Sequence, residues 1–126
     1  MNKILIVDDQ PAVRELLKTT LEINDYQLLS AEDGLQAITI AQTEQPDLII
    51  LDVMMPNGEL DGLEVCRRLK ADPTTARTVI IMVSAKGQQS DIEAGLRAGA
   101  DDYIDKPFSP VALIRKVEHI INVNNL

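Results

Sequence analysis

Residues 4–9 read ILIVDD, four branched apolar side chains followed directly by two aspartates. An apolar run without alternation is typical of a strand that is buried on both faces of a parallel sheet. Two adjacent carboxylates at the end of such a strand repel each other and resist desolvation. The stretch therefore predicts a buried first strand, and it raises the question of what compensates the charges of Asp8 and Asp9.

Similar runs recur along the chain, and each is followed by a segment with helical spacing. The predicted strands span residues 3–7, 27–31, 47–53, 79–84 and 102–104. The apolar residues at helical intervals are Val13, Leu16, Leu17 and Leu21; Leu35, Ile38 and Ala41; Leu63, Cys66 and Leu69; Ile92, Leu96 and Gly99; and Leu113, Ile114, Val117, Ile120 and Ile121. Five β-then-α units in strict alternation predict an α/β fold, with a parallel sheet covered by helices on both faces.

Boundary signals agree with this segmentation. Pro11 suits the first turn of helix 1, and Ser109 followed by Pro110 indicates an N-cap and the first helical residue. Ser90 with Glu93 is a candidate capping box for helix 4. Three glycines are expected in the connections: Gly34, Gly87 and Gly99.

The composition indicates one soluble globular domain, residues 1–126. Hydrophobic residues make up 45% of the 126 residues and charged residues 25%. No apolar run approaches the roughly 18 to 20 residues that a membrane span needs. The N-terminus lacks a signal peptide, because only four apolar residues separate Lys3 from Asp8. We therefore expect a cytoplasmic protein with no membrane partner.

Net charge and cysteine content narrow the choice of partners. A formal charge of −8 disfavours unspecific binding to nucleic acid or anionic membranes, because both are polyanions. The single cysteine, Cys66, lies on the apolar stripe of the third predicted helix and is expected to be a buried thiol. A protein, a small molecule or a cation is the better partner, with no direct contact to nucleic acid.

Carboxylates recur where predicted strands end. Asp8 and Asp9 follow strand 1, and Asp52 lies at the end of strand 3. In an open parallel sheet the ligand site lies beyond the carboxyl ends of the strands. If strand 1 is central and strand 3 is its neighbour, the three carboxylates converge and need a cation. Oxygen ligands select Mg²⁺, Ca²⁺ or Mn²⁺ rather than zinc.

Two further polar residues are expected at the same edge. Ser84 ends strand 4, and Lys106 follows strand 5. Taken singly, each has an ordinary structural explanation, as a strand-end hydroxyl or a solvated loop charge. Together with a cation and three carboxylates they indicate phosphoryl chemistry, in which metal and lysine balance oxyanions and Asp52 is a candidate nucleophile.

Several segments resemble the receiver domain of two-component response regulators, across essentially the whole chain. They are LIVDDQPAVRELL (5–17), PDLIILDVMMP (46–56), DGLEVCRRLK (61–70), IIMVSAKG (80–87) and AGADDYIDKPF (98–108). The resemblance implies a flavodoxin-like three-layer α/β/α sandwich with strand order 2-1-3-4-5. It also implies a phosphorylation-dependent signalling switch.

The resemblance assigns a chemical role to each residue of this edge. Asp52 would take a phosphoryl group from a sensor histidine kinase, a phosphotransfer protein or a small donor such as acetyl phosphate. Mg²⁺, or Mn²⁺ in its place, would bind Asp9, Asp52 and the Met54 backbone carbonyl, with Asp8 acting through water. The remaining partners of the phosphoryl oxygens would be Ser84 and Lys106.

The resemblance also implies how the switch is read and reset. Tyr103 matches the switch aromatic, the Lys106–Pro107 bond is expected to be cis, and Met54 and Lys86 flank the path of the hydrolytic water. Because neither side chain is suited to accept a proton from water, slow self-dephosphorylation is expected. The alternative is that Met54 only packs, Lys86 is solvated, and the longer loop supplies a water-orienting group such as Glu59. Output is expected through protein contacts on the face formed by helix 4, strand 5 and helix 5, with no output domain in this chain.

Two departures from the common receiver pattern lie near the site. The stretch MPNGELDG (55–62) carries about two more residues than the commonest form, and Val79 replaces a frequent proline.

Three alternatives fit the residues less well. A dehalogenase-like phosphatase needs an acid/base Asp where Met54 stands, and a flavodoxin-type carrier needs a phosphate loop where the anionic DDQPA (8–12) stands. A degenerate receiver acting only as a scaffold would have lost a site residue.

Overall fold

The structure is a computed structural model that describes residues 2–55, 60–85, 89–124 and 126. In chain order its elements are β1 (Lys3–Val7), α1 (Pro11–Leu21), β2 (Gln27–Ala31), α2 (Gly34–Glu44), β3 (Leu48–Asp52), α3 (Gly62–Ala71), β4 (Val79–Ala85), α4 (Gln89–Arg97), β5 (Asp102–Lys106) and α5 (Pro110–Val123). Lys86, the expected turn at Gly87 and the longer loop from Pro56 to Glu59 lie outside the described residues.

The five strands form one parallel sheet in the order β2-β1-β3-β4-β5. This confirms the strand order that the resemblance implied. β1 lies in the interior of the sheet between β2 and β3, so the condition for convergence of the carboxylates is met. Val7 lies opposite Leu51 in their register, and Asp8 and Asp52 therefore leave the sheet at the same level.

Apolar side chains fill both faces of the sheet, which makes the fold a three-layer sandwich. On one face, residues such as Leu5, Ile49 and Ile80 pack with buried residues of α2 and α3. On the other face, residues such as Ile6, Ile50 and Ile81 pack with buried residues of α1 and α5. The run from Ile4 to Val7 is buried on both faces, as its lack of alternation predicted.

The strand ends differ slightly from the predicted ones. Asp47 and Val53 lie just outside β3, although Asp47 N still donates to Lys3 O and Val53 N to Val83 O. β4 runs one residue further, to Ala85. β5 continues to Lys106 instead of ending at Ile104, because pairing with β4 overrides the low strand propensity of charged residues.

The helix starts confirm two of the sequence signals and correct two others. Pro11 and Pro110 are the first residues of α1 and α5, and the Ser109 side chain accepts a hydrogen bond from Ala112 N. Ser90 lies inside α4, which begins at Gln89, so the expected capping box with Ser90 as N-cap is wrong. Gly34 is the first residue of α2 rather than part of a connection; its N-cap is Asp33.

The apolar stripes of the helices are narrower than the sequence spacing suggested. Leu16, Leu35 and Leu96 are each about half exposed, at 49%, 47% and 49%. Cys66 is buried as expected, and burial raises the pKa of its thiol to about 11. Among the described residues, no helix is both long enough and apolar enough to cross a bilayer.

Candidate metal and phosphoacceptor site

Three carboxylates meet where β1 and β3 end, as the sequence predicted. Asp8 follows the last residue of β1, and Asp52 is the last residue of β3. One carboxylate oxygen each from Asp8, Asp9 and Asp52 lies within 4.8 Å of the other two. Asp8 and Asp52 are buried, and Asp9 is half-buried. The parallel register of β1 and β3 therefore produces an acidic cluster that is largely shielded from water.

The turn from β1 into α1 fixes the Asp8 carboxylate. Its Oδ1 accepts a hydrogen bond from Gln10 N at 2.9 Å, and the Asp8 backbone carbonyl accepts one from Arg14 Nη1 at 2.7 Å. Pro11 then begins α1. In the described part of the chain, the Asp9 carboxylate has no hydrogen-bonding partner and remains available as a ligand.

Lys106 supplies the positive charge of the cluster. Its Nζ donates to Asp8 Oδ2 at 3.1 Å and to Asp52 Oδ2 at 3.3 Å. The ammonium reaches these oxygens from the end of β5, two strands away from β3. The peptide bond that follows it, Lys106–Pro107, is cis, as the resemblance implied.

The electrostatics of the cluster favour an additional cation. Burial, and secondly the charge of Asp8, raise the pKa of Asp52 to about 6 against the opposing effect of Lys106. Burial alone would lower the pKa of Lys106, but the carboxylates of Asp52 and Asp8 outweigh it and raise that pKa. One ammonium cannot neutralise three carboxylates, so the site has a net negative charge that a divalent ion would balance.

The donor set fits a hard divalent ion. Ligand oxygens bound to Mg²⁺ at about 2.0–2.1 Å can be at most roughly 4 Å apart, and the three carboxylates approach that separation before any ligand is present. Asp52 Oδ1 also accepts a hydrogen bond from Met54 N at 3.3 Å, which places the Met54 backbone beside the cluster. The role of the Met54 carbonyl as a ligand stays a prediction.

Ser84 lies on β4 next to this cluster, and its side chain is buried. Its Oγ has no hydrogen-bonding partner among the residues that the structure describes. Tyr103 is 37% exposed, and Lys116 Nζ lies 5.6 Å from the centre of its ring. The structure thus shows a hydroxyl that is free to take a new acceptor and an aromatic ring on the surface.

Gly62 contributes to the site in a way that the sequence reasoning missed. A Cβ at this position would overlap the carbonyl oxygen of Asp52 and lie 2.8 Å from Val53 Cα. Gly62 N also donates to Val53 O at 2.9 Å. The start of α3 therefore presses directly against the backbone of the candidate acceptor. The pair Asp61–Gly62 before an apolar helical pattern was the available signal, since Asp61 caps α3.

The comparisons with known proteins agree with this fold and show the family of the chain. Residues 4–118 match the family described as the response regulator receiver domain. The phosphate regulon transcriptional regulatory protein PhoB of Pseudomonas aeruginosa is 44% identical over 118 residues, which cover 94% of this chain and 51% of PhoB. The DNA-binding dual master transcriptional regulator RpaA of Synechocystis is 40% identical over 121 residues, covering 96% and 49%.

Solved structures show the same architecture. The chemotaxis response regulator CheY4 of Vibrio cholerae superimposes with a TM-score of 0.87 at 30% identity, covering 95% of this chain and 98% of CheY4. A parallel sheet that gathers three aspartates, a hydroxyl and a lysine at one edge defines a phosphoacceptor switch of the two-component type. This chain belongs to the response regulator receiver domain family. It spans about half the length of the curated relatives that it matches.

Proposed function

We propose that this chain is a phosphorylation switch in which Asp52 accepts the phosphoryl group. The observation that carries the proposal is the bond from Lys106 Nζ to Asp52 Oδ2 within a cluster of three converging carboxylates. A carboxylate oxygen of Asp52 attacks phosphorus, the new O–P bond forms, and the bond from phosphorus to the donor breaks. Receiver domains take this group from histidine kinases; a phosphotransfer protein or acetyl phosphate is an equivalent donor.

Each neighbouring residue has a part in that transfer. Asp9 and Asp52 would hold the metal, Mg²⁺ or Mn²⁺, directly and Asp8 would hold it through water; when bound, the metal would neutralise charge on the phosphoryl oxygens. Lys106 holds the acceptor oxygen before transfer and pairs with a phosphoryl oxygen afterwards. Ser84 donates its hydroxyl proton in a hydrogen bond to a second phosphoryl oxygen. The chain is thus a substrate that catalyses its own modification rather than an enzyme that turns over an external one.

Output follows from the new contacts of Ser84. When Ser84 is drawn toward the phosphoryl group, Tyr103 turns inward, and the surface formed by α4, β5 and α5 changes shape. The exposure of Tyr103 and of Val111 on this surface supports its use as a contact for a partner protein. This is a local change in charge read out by a two-state element.

The relatives change one expectation about partners. PhoB and RpaA are named as transcriptional regulators, and RpaA as DNA-binding. The expectation of no direct nucleic-acid partner therefore applies to residues 1–126 and not to their longer relatives. We propose that the switch in this chain acts through protein contacts. The cytoplasmic location and the single-domain organisation of residues 1–126 stay predictions.

Phosphorylation-independent scaffolding is the less favoured function. It would leave the buried acidic cluster without a role, and every residue of the phosphoacceptor set is present. Buried carboxylates beside one another repel each other and resist desolvation, so their presence in this cluster points to a ligand.

The proposal is tested by incubation with acetyl phosphate and Mg²⁺. Intact-mass measurement should show one phosphoryl group on the wild type and none on Asp52→Asn. Asp33→Asn is the matched control, because Asp33 also follows a strand at this edge of the sheet and Asn caps a helix as well as Asp does. Equal labelling of wild type and Asp52→Asn would contradict the proposal.

A further inference from the structure

Two buried side-chain oxygens, Ser84 Oγ and Asp105 Oδ1, lack a hydrogen-bonding partner. They are the only such side-chain atoms in the described part of the chain. Folded proteins pair nearly all of their buried polar groups, so each exception calls for an explanation. Ser84 has a place in the proposed phosphoryl transfer, whereas Asp105 has none. The role of the Asp105 carboxylate is therefore open.

Ser84 and Asp105 are direct neighbours in the sheet. They are Cα partners in the parallel register of β4 and β5. Neighbouring strands are about 4.8 Å apart, and paired residues point to the same face. Met82 and Tyr103, two residues earlier on the same strands, are also paired and point to the same face as Ser84 and Asp105. The two atoms are not bonded in the structure, but at this strand spacing a rotation of either side chain would bring the hydroxyl and the carboxylate within hydrogen-bonding reach.

The chemistry of the two groups is complementary. A serine hydroxyl has one proton to donate, and a carboxylate oxygen is an acceptor. No described residue competes for either atom. A buried hydroxyl beside a buried carboxylate oxygen is stabilised by donating to it, since both otherwise lose their bonds to water without replacement.

We propose that Asp105 is a positioning residue that accepts the Ser84 hydrogen bond while Asp52 is unphosphorylated, and so opposes the movement of Ser84 to the phosphoryl group. The inference rests on the proposed function of Asp52. Because the hydroxyl has one proton, it can bond either to Asp105 or to a phosphoryl oxygen. The phosphoryl group must therefore compete with Asp105 for the hydroxyl proton before Ser84 moves and the switch changes state.

The pairing itself is tested without metal or phosphodonor. Unfolding equilibrium constants are measured for wild type, Ser84→Ala, Asp105→Val and the double variant in the presence of a chelator. If the two side chains are bonded, Asp105→Val changes the unfolding constant by one factor in the wild-type background and by a different factor in the Ser84→Ala background. Equal factors in the two backgrounds overturn the inference, whatever the behaviour of Asp52.

The restraint is tested with beryllofluoride, a stable mimic of the phosphoryl group, in the presence of Mg²⁺. Asp105→Val should bind beryllofluoride several-fold more tightly than wild type. Asp105→Asn removes the charge but keeps an acceptor oxygen, so its affinity should stay close to that of wild type. An unchanged beryllofluoride affinity in Asp105→Val overturns the restraint. If Asp105→Asn and Asp105→Val bind beryllofluoride equally tightly, the effect comes from charge alone, and this also overturns the restraint.

Failure of the proposed function would look different. If wild type did not bind beryllofluoride at all, Asp52 would not be the acceptor, and the restraint on Ser84 would be overturned with it. The unfolding constants would still decide whether the hydroxyl and the carboxylate are paired.

Discussion

Lys106 Nζ lies 3.3 Å from Asp52 Oδ2 and is shared with the neighbouring carboxylate of Asp8. Before any ligand binds, the ammonium therefore contacts two of the carboxylates that a metal ion would also bind. Two cations close together repel each other, so Lys106 opposes metal binding while it stabilises the metal-free cluster. This competition leads to the first prediction.

Lys106→Met should raise the affinity for Mg²⁺ several-fold, because the nearest positive charge is removed and the acidic ligands remain. The same variant should lose the response of Tyr103 to beryllofluoride, since the phosphoryl mimic loses its ammonium partner. Mg²⁺ titration followed by calorimetry measures the first effect, and NMR of the tyrosine ring measures the second. A Mg²⁺ affinity below that of wild type would contradict the competition.

Asp9→Ala should weaken Mg²⁺ binding at least about tenfold, because even indirect partners of a metal commonly contribute that much. Its carboxylate belongs to the acidic cluster and has no other partner among the described residues. Asp25→Ala is the control, since Asp25 is an exposed carboxylate that precedes β2 at the opposite edge of the sheet. Equal losses in the two variants would indicate an effect of net charge rather than of ligation.

The stability of the metal-free protein should depend on pH through Asp52. The pKa of Asp52 is about 6 in the folded protein, above its ordinary value of 3.8. The folded state therefore binds this proton more tightly than the unfolded chain does. The stabilisation is complete below the ordinary value and is lost as the pH rises through about 6.

Urea unfolding of wild type and Asp52→Asn with a chelator present measures this effect. Relative to Asp52→Asn, the free energy of unfolding of wild type should fall by on the order of 1 to 2 kcal/mol between about pH 4 and pH 7, after allowance for solvent screening. Added Mg²⁺ should restore much of the loss. A difference between the two proteins that stays constant over this range would show that the pKa of Asp52 is not raised.

Gly62→Ala should destabilise the protein by about 1–3 kcal/mol and reduce Mg²⁺ affinity, because the new Cβ overlaps the Asp52 backbone. Gly95→Ala is the matched control within α4. There the Cβ would meet only the side chain of Met82, at 3.2 Å. Helix propensity favours Ala at that position by up to about 1 kcal/mol, so the control should be neutral or stabilising. Chemical unfolding compares the two, and equal stabilities would contradict the close approach at Gly62.

Much of this architecture was predictable because the signals are local. The run ILIV (4–7) is apolar at every position because both faces of the strand are covered. The succession of strand-type and helix-type segments along the chain predicted the order of the elements. The convergence of Asp8 and Asp52 followed from the shared edge of parallel strands. The resemblance supplied the strand order, which periodicity alone left open.

What the sequence did not reveal depends on contacts between distant segments. β5 extends to Lys106 only because β4 lies beside it, and charged residues give no strand signal of their own. The close approach of Gly62 to Asp52 and the register that sets Ser84 beside Asp105 come from packing, which a single sequence does not state. At Ser90 a local signal was misleading: the sequence motif predicts an N-cap, but Ser90 lies inside α4, which begins at Gln89.

Met54→Asn should shorten the lifetime of the phosphorylated protein. Met54 follows Asp52 by two residues and is 61% exposed, with only a weakly accepting thioether to orient water. Asparagine offers both a donor and an acceptor at the same place, so hydrolysis should be several-fold faster. First-order decay after removal of the donor measures the lifetime, with Met54→Leu as the control of similar size. Combination with Lys86→Glu should add to the effect, and a double variant that decays at the rate of wild type would contradict it.

The central claim, that Asp52 alone receives the phosphoryl group, is tested most directly by locating the modification. Protein treated with acetyl phosphate and Mg²⁺ is reduced with borohydride, which converts an aspartyl phosphate to homoserine, and its peptides are sequenced by mass spectrometry. The account predicts homoserine at position 52 and unmodified aspartate at positions 8 and 9. Homoserine at position 8 or 9, or a phosphate that survives on Ser84 with position 52 unmodified, would contradict it.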